Sequence, residues 1–96
     1  MEVTVRDNPD RSRYEARAGG ELAGFAAYRL RGQEVVFTHT VVQPAYEGKG
    51  VASTLVAAAL ADVASRGLAV VPLCPFVRGW LDRHPERAAT IQVRQR

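Results

Sequence analysis

The hydrophobic repeat of this chain changes period at Gln43, and that change limits the fold more than any other feature. Up to Val42 the apolar residues come in short alternating or β-branched runs. "VTVRD" (Val3 to Asp7) reads as a strand, and "NPDRS" turns, because Pro9 fixes its own φ and Asn8 and Asp10 favour turns. "RYEARA" (Arg13 to Ala18) sets Tyr14, Ala16 and Ala18 against charged residues, which leaves one strand face wet. "GGE" signals a hairpin, "LAGFAAYRL" (Leu22 to Leu30) is the next strand, and Gly24 within it marks a bulge or a close backbone approach. After the "RGQE" turn, "VVFTHTVV" (Val35 to Val42) is the most β-prone stretch of the chain. The first half is expected to be an antiparallel meander.

Beyond Gln43, Val51, Leu55, Val56, Ala59, Leu60 and Val63 recur at helical spacing. The helix should run from about Gly50 to Arg66, with a cation in its last turn and Gly67 following as the C′ residue. "LAVVPLC" (Leu68 to Cys74) has no polar alternation, as in a strand buried on both faces after a parallel crossover. Pro75 suits the first turn of a second helix over Phe76 to His84, Pro85 ends it, and "RAATIQV" reads as a last strand. The expected fold class is α/β (α+β): a mostly antiparallel meander, a β-α-β crossover and a second helix. Pro72 would sit inside a buried strand, where it cannot donate to the ladder. Either the neighbouring strand has already parted there, or the strand ends at Pro72.

Ninety-six residues allow one domain, 1–96, burying roughly 60–70% of its unfolded surface. The net charge of +3 comes from 13 basic and 10 acidic residues with no basic run, and Lys49 is the sole lysine. Nucleic-acid readers cluster their charge, so no nucleic-acid partner is expected. One cysteine cannot make an intrachain disulfide, which favours a reducing, cytoplasmic setting. The first residues lack the apolar core of a signal peptide, and no apolar run approaches the ~18 residues of a membrane span. No metal site is expected.

Between strand and helix stands "EGKGVA". A strand, a glycine loop and a helix place free N–H groups around Gly48 and Gly50 at a helix N-terminus, where oriented amides and the helix dipole hold phosphate. Glycine lets the backbone approach an anion, and Lys49 adds charge. The spacing is neither that of a Walker loop nor G-x-G-x-x-G. A plain glycine-rich turn into a helix has the same appearance.

In context, "TVVQPAYEGKGVASTLVAAAL" resembles the acetyl-coenzyme A segment of the GNAT N-acetyltransferases: strand, V-x-P, then [QR]-x-x-G-x-[GA], then helix. Glu47, Gly50 and Ala52 fill three of the marked positions. "HTVV" (His39 to Val42), "VVPLCPF" (Val70 to Phe76) and "HPE" (His84 to Glu86) are similar to motifs of a small YjdJ-like single-domain branch. The resemblance implies a GNAT-like fold with splayed fourth and fifth strands, and acetyl-CoA as donor with CoA as product. It places the pyrophosphate on the loop amides and the pantetheine beside the fourth strand. The implied cofactor residues are Val41, Val42, Glu47, Gly48, Lys49, Gly50, Val51, Ala52 and Cys74.

The chain departs from the family at three positions. Glu47 replaces the usual Gln or Arg. Val41 stands where the branch has a Glu, the kind of residue GNATs use as base. Trp80 stands six residues after the cysteine, where an aromatic hydroxyl is common. For chemistry, His39 and Cys74 remain. His39 and Val41 share a strand face by period two, so His39 points where that Glu would. Histidine suits proton transfer near neutrality, and the alternative is a hydrogen-bonded histidine in a sheet. Cys74 is a covalent nucleophile, a residue lining the thioester, or a small buried apolar residue. Leu73 and Phe76 would disfavour a charged sulfur and argue against the first. His84 fits a helix C-terminus, and Val77, Trp80 and Leu81 an apolar helix face. The expected function is an N-acetyltransferase acting by direct amine attack; the alternative is a non-catalytic acetyl-CoA or CoA sensor of the same fold. The acceptor would be a small-molecule, peptide or protein amine, and a second copy of the chain could supply the acceptor wall.

Overall fold

The computed structural model describes residues 2–95. Five strands form one sheet in the order β1-β2-β3-β4-β5: β1 Val3–Asn8, β2 Arg13–Ala18, β3 Glu21–Arg31, β4 Glu34–Val42 and β5 Ala69–Pro72. β1 to β4 pair antiparallel, and β5 pairs parallel with β4. Helix α1 (Val51–Ser65) makes the crossover; α2 (Pro75–Arg83) and α3 (Pro85–Ala88) follow β5. The α+β fold agrees with the sequence pattern, the strand boundaries differing by one or two residues.

The apolar stripe of α1 (Val51, Leu55, Val56, Ala59, Leu60, Val63) is fully buried. It packs over the sheet face that carries Tyr14, Ala16, Ala26, Tyr28 and Phe37. Burying a leucine such as Leu55 or Leu60 is worth about 1.5–3 kcal/mol, so this stripe locks α1 to the sheet. At the C-terminal end of α1 polar groups close the seam. The Tyr14 hydroxyl donates to Asp62 Oδ2 at 2.5 Å and the Tyr28 hydroxyl to Asp7 Oδ1 at 2.6 Å. Arg66 reaches Asp62 at 3.0 Å and Asp7 at 3.6 Å. Burial, then the hydrogen bond to its carboxylate, drives each tyrosine well above its ordinary pKa.

Two irregularities shape the other end. A bulge in β2–β3 leaves Ala23 without a partner, and beside it Gly24 lies so close to β4 that a Cβ would stand 2.6 Å from the Val41 carbonyl oxygen. The sequence's two readings of Gly24 thus apply together. In β4 the register jumps from Ala27↔His39 to Tyr28↔Phe37, so Thr38 is an extra residue. Such a residue reverses the alternation beyond it. Phe37, Thr40 and Val42 therefore share the α1 face, and Val36, His39 and Val41 the opposite one.

β4 and β5 part at Phe37↔Pro72. The N–H groups of Leu73 and Cys74 both donate to the Phe37 carbonyl oxygen, at 3.1 and 3.0 Å, and the chain then turns into α2. β4 runs on from Thr38 to Val42 with no β5 beside it. Pro72 is both the last strand residue and the point of parting, where its missing N–H disrupts no further pairing. Cys74 lies past the strand, at the N-cap of α2. The expected last strand is reduced to one parallel bridge, Val70↔Val93, because Pro85 opens the helical turn α3 instead of only ending α2.

Candidate functional site

The loop between β4 and α1 is built by local rules. Pro44 starts a 3-10 turn, Pro44–Tyr46, in which Tyr46 N–H donates to Gln43 O and Glu47 N–H to Pro44 O. The Tyr46 hydroxyl donates to Glu21 Oε1 at 2.7 Å and ties the loop to the start of β3; that bond raises the hydroxyl's pKa. Gly48 and Gly50 both take the left-handed conformation, φ +77° and +76°, which side chains rarely adopt. Gly50 is the N-cap of α1, and no side chain caps the helix.

The first bond into α1 is Thr54 N–H to Gly50 O. Among the described residues, the N–H groups from Gly48 to Ser53 have no backbone acceptor. A Cβ built on Gly48 or Gly50 would meet nothing within 4 Å, so open space lies over the loop. Unengaged amides, a positive helix end and free room suit an anionic phosphate group.

A cleft of about 480 Å³ opens over this loop. Val42, Glu47, Gly48, Gly50, Val51 and Ala52 line it, with Tyr46 beside them. Val41 and Lys49 do not line it: Val41 pairs with Phe25 on the opposite sheet face, and Lys49 is exposed. Three further lining residues escaped the sequence reading: Ser53, Phe76 and Arg83. Arg83 holds its guanidinium 5.9 Å from the centre of the Phe76 ring and presses on Gly79, where a Cβ would stand 3.2 Å from Nη1. The i, i+7 spacing of Phe76 and Arg83 was a usable signal that they share a helix face. Nothing in the sequence said that this face meets the start of α1.

The gap between the parted strands holds the remaining candidates, but on different sides. The buried Cys74 has its Sγ 3.3 Å from Thr40 Oγ1, on the α1 face of β4. His39 is exposed on the opposite face, its ring edge-on to Phe25 at 6.0 Å and its Nδ1 3.3 Å from Thr38 Oγ1. His39 and Val41 share that face, and His39 and Cys74 are not in contact. Trp80 is buried, its indole N–H lacks an acceptor among the described residues, and its ring packs on His84 at 4.3 Å. His84 joins α2 to α3, its carbonyl accepting from Arg87 and Ala88 N–H. No metal-ligating cluster occurs among the described residues, and no helix there is long and apolar enough to cross a membrane.

The sequence profile of the GCN5-related N-acetyl-transferase family matches residues 13–91, a span that includes the glycine loop, the parted strands and α2. No curated protein matches the chain. Among solved structures, the fold is similar to the NMR solution structure of a GCN5-like protein from Staphylococcus aureus. That likeness has a TM-score of 0.69 at 16% identity and covers 95% of this chain and 89% of the other.

Proposed function

The chain belongs to the GCN5-related N-acetyltransferase family, and from that premise we propose that it binds acetyl-CoA over the glycine loop and passes the acetyl group to an amine. The observation that carries this reading is the set of unengaged N–H groups from Gly48 to Ser53, opening on the same cleft as the end of β4. Those amides would hold the pyrophosphate, with Arg83 as a further cation. The bare side of β4 from Thr38 to Val42 would take the pantetheine amides, as β5 would have done. Bound there, the thioester supplies an activated acyl group.

Positioning does most of the remaining work. The acceptor nitrogen forms its C–N bond as the C–S bond breaks, and the nitrogen's proton leaves to His39, directly or through water. The sulfur departs as thiolate and takes a proton from solvent, since the buried Trp80 offers no acidic hydroxyl. Cys74, beside Thr40 in the gap, lines the thioester end. A binding-only sensor is the second reading; Val41 and Trp80 favour it, because neither can exchange a proton.

Melting with acetyl-CoA separates these readings from no cofactor at all. Ligand at 100 times Kd adds about 2.7 kcal/mol of stability, which raises Tm by about 10 °C or more in a domain this size. No shift at millimolar acetyl-CoA overturns the cofactor assignment. His39→Ala should then slow CoA release to an amine by roughly 10²–10⁴-fold and leave the melting shift in place. A shift without turnover on any amine selects the sensor.

A further inference from the structure

Among the described residues only α1 packs on β1 to β3 beyond weak contacts, so the sheet face opposite α1 has no helix over these strands, and it carries a charge pattern that the cofactor cleft does not use. Arg6 on β1, Arg13 and Arg17 on β2, and Arg29 and Arg31 on β3 all fall on it by register. The strand carboxylates on this face, Glu15 and Glu34, are both buried. Glu15 accepts from Arg13 Nε at 2.8 Å, Arg17 Nη2 at 3.1 Å and Asn8 Nδ2 at 3.2 Å, while Glu34 accepts from Arg94 at 3.0 Å. The acidic groups are thus inside, while Arg6, Arg17, Arg29 and Arg31 are exposed and Arg13 is half-buried against Glu15 and Phe25. Arg6 and Arg29 are exposed and make no ion pair among the described residues.

His39 stands within this pattern. Its ladder partner on β3 is Ala27, and the partner of Ala27 on β2 is Arg13. Two strand spacings, roughly 10 Å, therefore separate His39 from Arg13. Arg29, two residues along β3 from Ala27, is its diagonal neighbour at roughly 7–8 Å.

We propose that the acceptor is an acidic peptide lying across this face, with its amine at His39 and its carboxylates on the exposed Arg29 and Arg6. The proposal rests on the acetyl-transfer reading for its chemistry, though the docking itself does not. Carboxylates match exposed guanidinium groups in geometry as well as charge. A single-stranded nucleic acid fits less well, because it needs free aromatic platforms for its bases. Phe25, the aromatic on this face, is covered by Arg13 at 4.4 Å and edge-packed by His39.

The test uses the full chain and two labelled ten-residue probes, each with one central lysine, flanked by glutamates in one and glutamines in the other. Fluorescence anisotropy at physiological salt should show the glutamate peptide binding roughly tenfold tighter. Added salt should erase that preference, as should the double variant Arg6→Gln/Arg29→Gln. Arg6 is Glu15's ladder partner but not one of its ion-pair partners, and neither arginine lines the cleft, so the variant's melting shift with acetyl-CoA should be unchanged. With the glutamate peptide as acceptor, the variant should raise KM and leave kcat unaltered. Equal binding of the two peptides, a preference that survives in the double variant, or a single-stranded oligonucleotide that binds tighter than the glutamate peptide each overturns the proposal. An absent melting shift with acetyl-CoA overturns the transferase reading instead, and the anisotropy comparison still decides what docks on this face.

Discussion

The two ends of α1 are opposite solutions to one problem. At its C-terminal end the polar groups are paired: Tyr14 with Asp62, Tyr28 with Asp7, and Arg66 with both carboxylates. At its N-terminal end, among the described residues, the N–H groups from Gly48 to Ser53 lack backbone partners, no side chain caps the helix, and the space above is open. A helix end without partners costs stability unless water or a ligand satisfies it. The closed end therefore holds α1 to the sheet, and the open end leaves amides that water or an anion would have to satisfy.

Substitutions at either end test that division. The largest stability loss is expected from Asp62→Ala, which strands the buried Tyr14 hydroxyl. It should cost about 2–3 kcal/mol, lowering Tm by roughly 10–20 °C, while the melting shift with acetyl-CoA stays the same. If the ligand response falls in step with Tm, the two ends are not independent.

Gly50→Val should do the reverse. Forcing a side chain into φ +76° costs about 1–2 kcal/mol of stability. The larger consequence is loss of the acetyl-CoA melting shift, since the side chain would occupy the space over the loop. A retained shift would move the anion site away from this helix end.

Tyr14→Phe is a milder probe of the closed end, with an expected cost of about 1 kcal/mol. It also carries a pH signature. Burial and the bond to Asp62 raise the folded pKa of Tyr14 above the unfolded value. Its contribution is therefore complete below about pH 10 and is lost as pH rises further. Urea titrations above and below that pH should show a steeper alkaline loss in the native chain than in the variant. The smallest effect belongs to Lys49→Ala: the side chain is exposed and outside the cleft, so acetyl-CoA affinity should change within about threefold. A loss equal to that of Gly50→Val would mean that charge, not backbone geometry, holds the ligand.

The sequence by itself determined the element order as far as α2, the buried stripe of α1 and the glycine loop, because each follows from near neighbours in the chain. Helical spacing places Val51, Leu55, Val56, Ala59, Leu60 and Val63 on one face wherever the helix docks, and glycine is the residue that tolerates positive φ at 48 and 50. The parting of β4 and β5 was half legible: Pro72 marked the place, and the register shows that β4 continues alone. The tertiary structure decided the rest. Period two puts His39 on the face of Phe37; the bulge at Thr38 inserts one residue, sends His39 to the opposite face and turns Thr40 toward Cys74. Thr38 is as β-prone as its neighbours, so no local signal records the insertion. The pairing of Tyr14 with Asp62 spans 48 residues, and Arg83 reaches the loop of Gly48 only because α2 docks against the start of α1. Such contacts are set by how whole elements pack, and hydrophobic periodicity specifies which face of an element is buried but not which residues will meet across it.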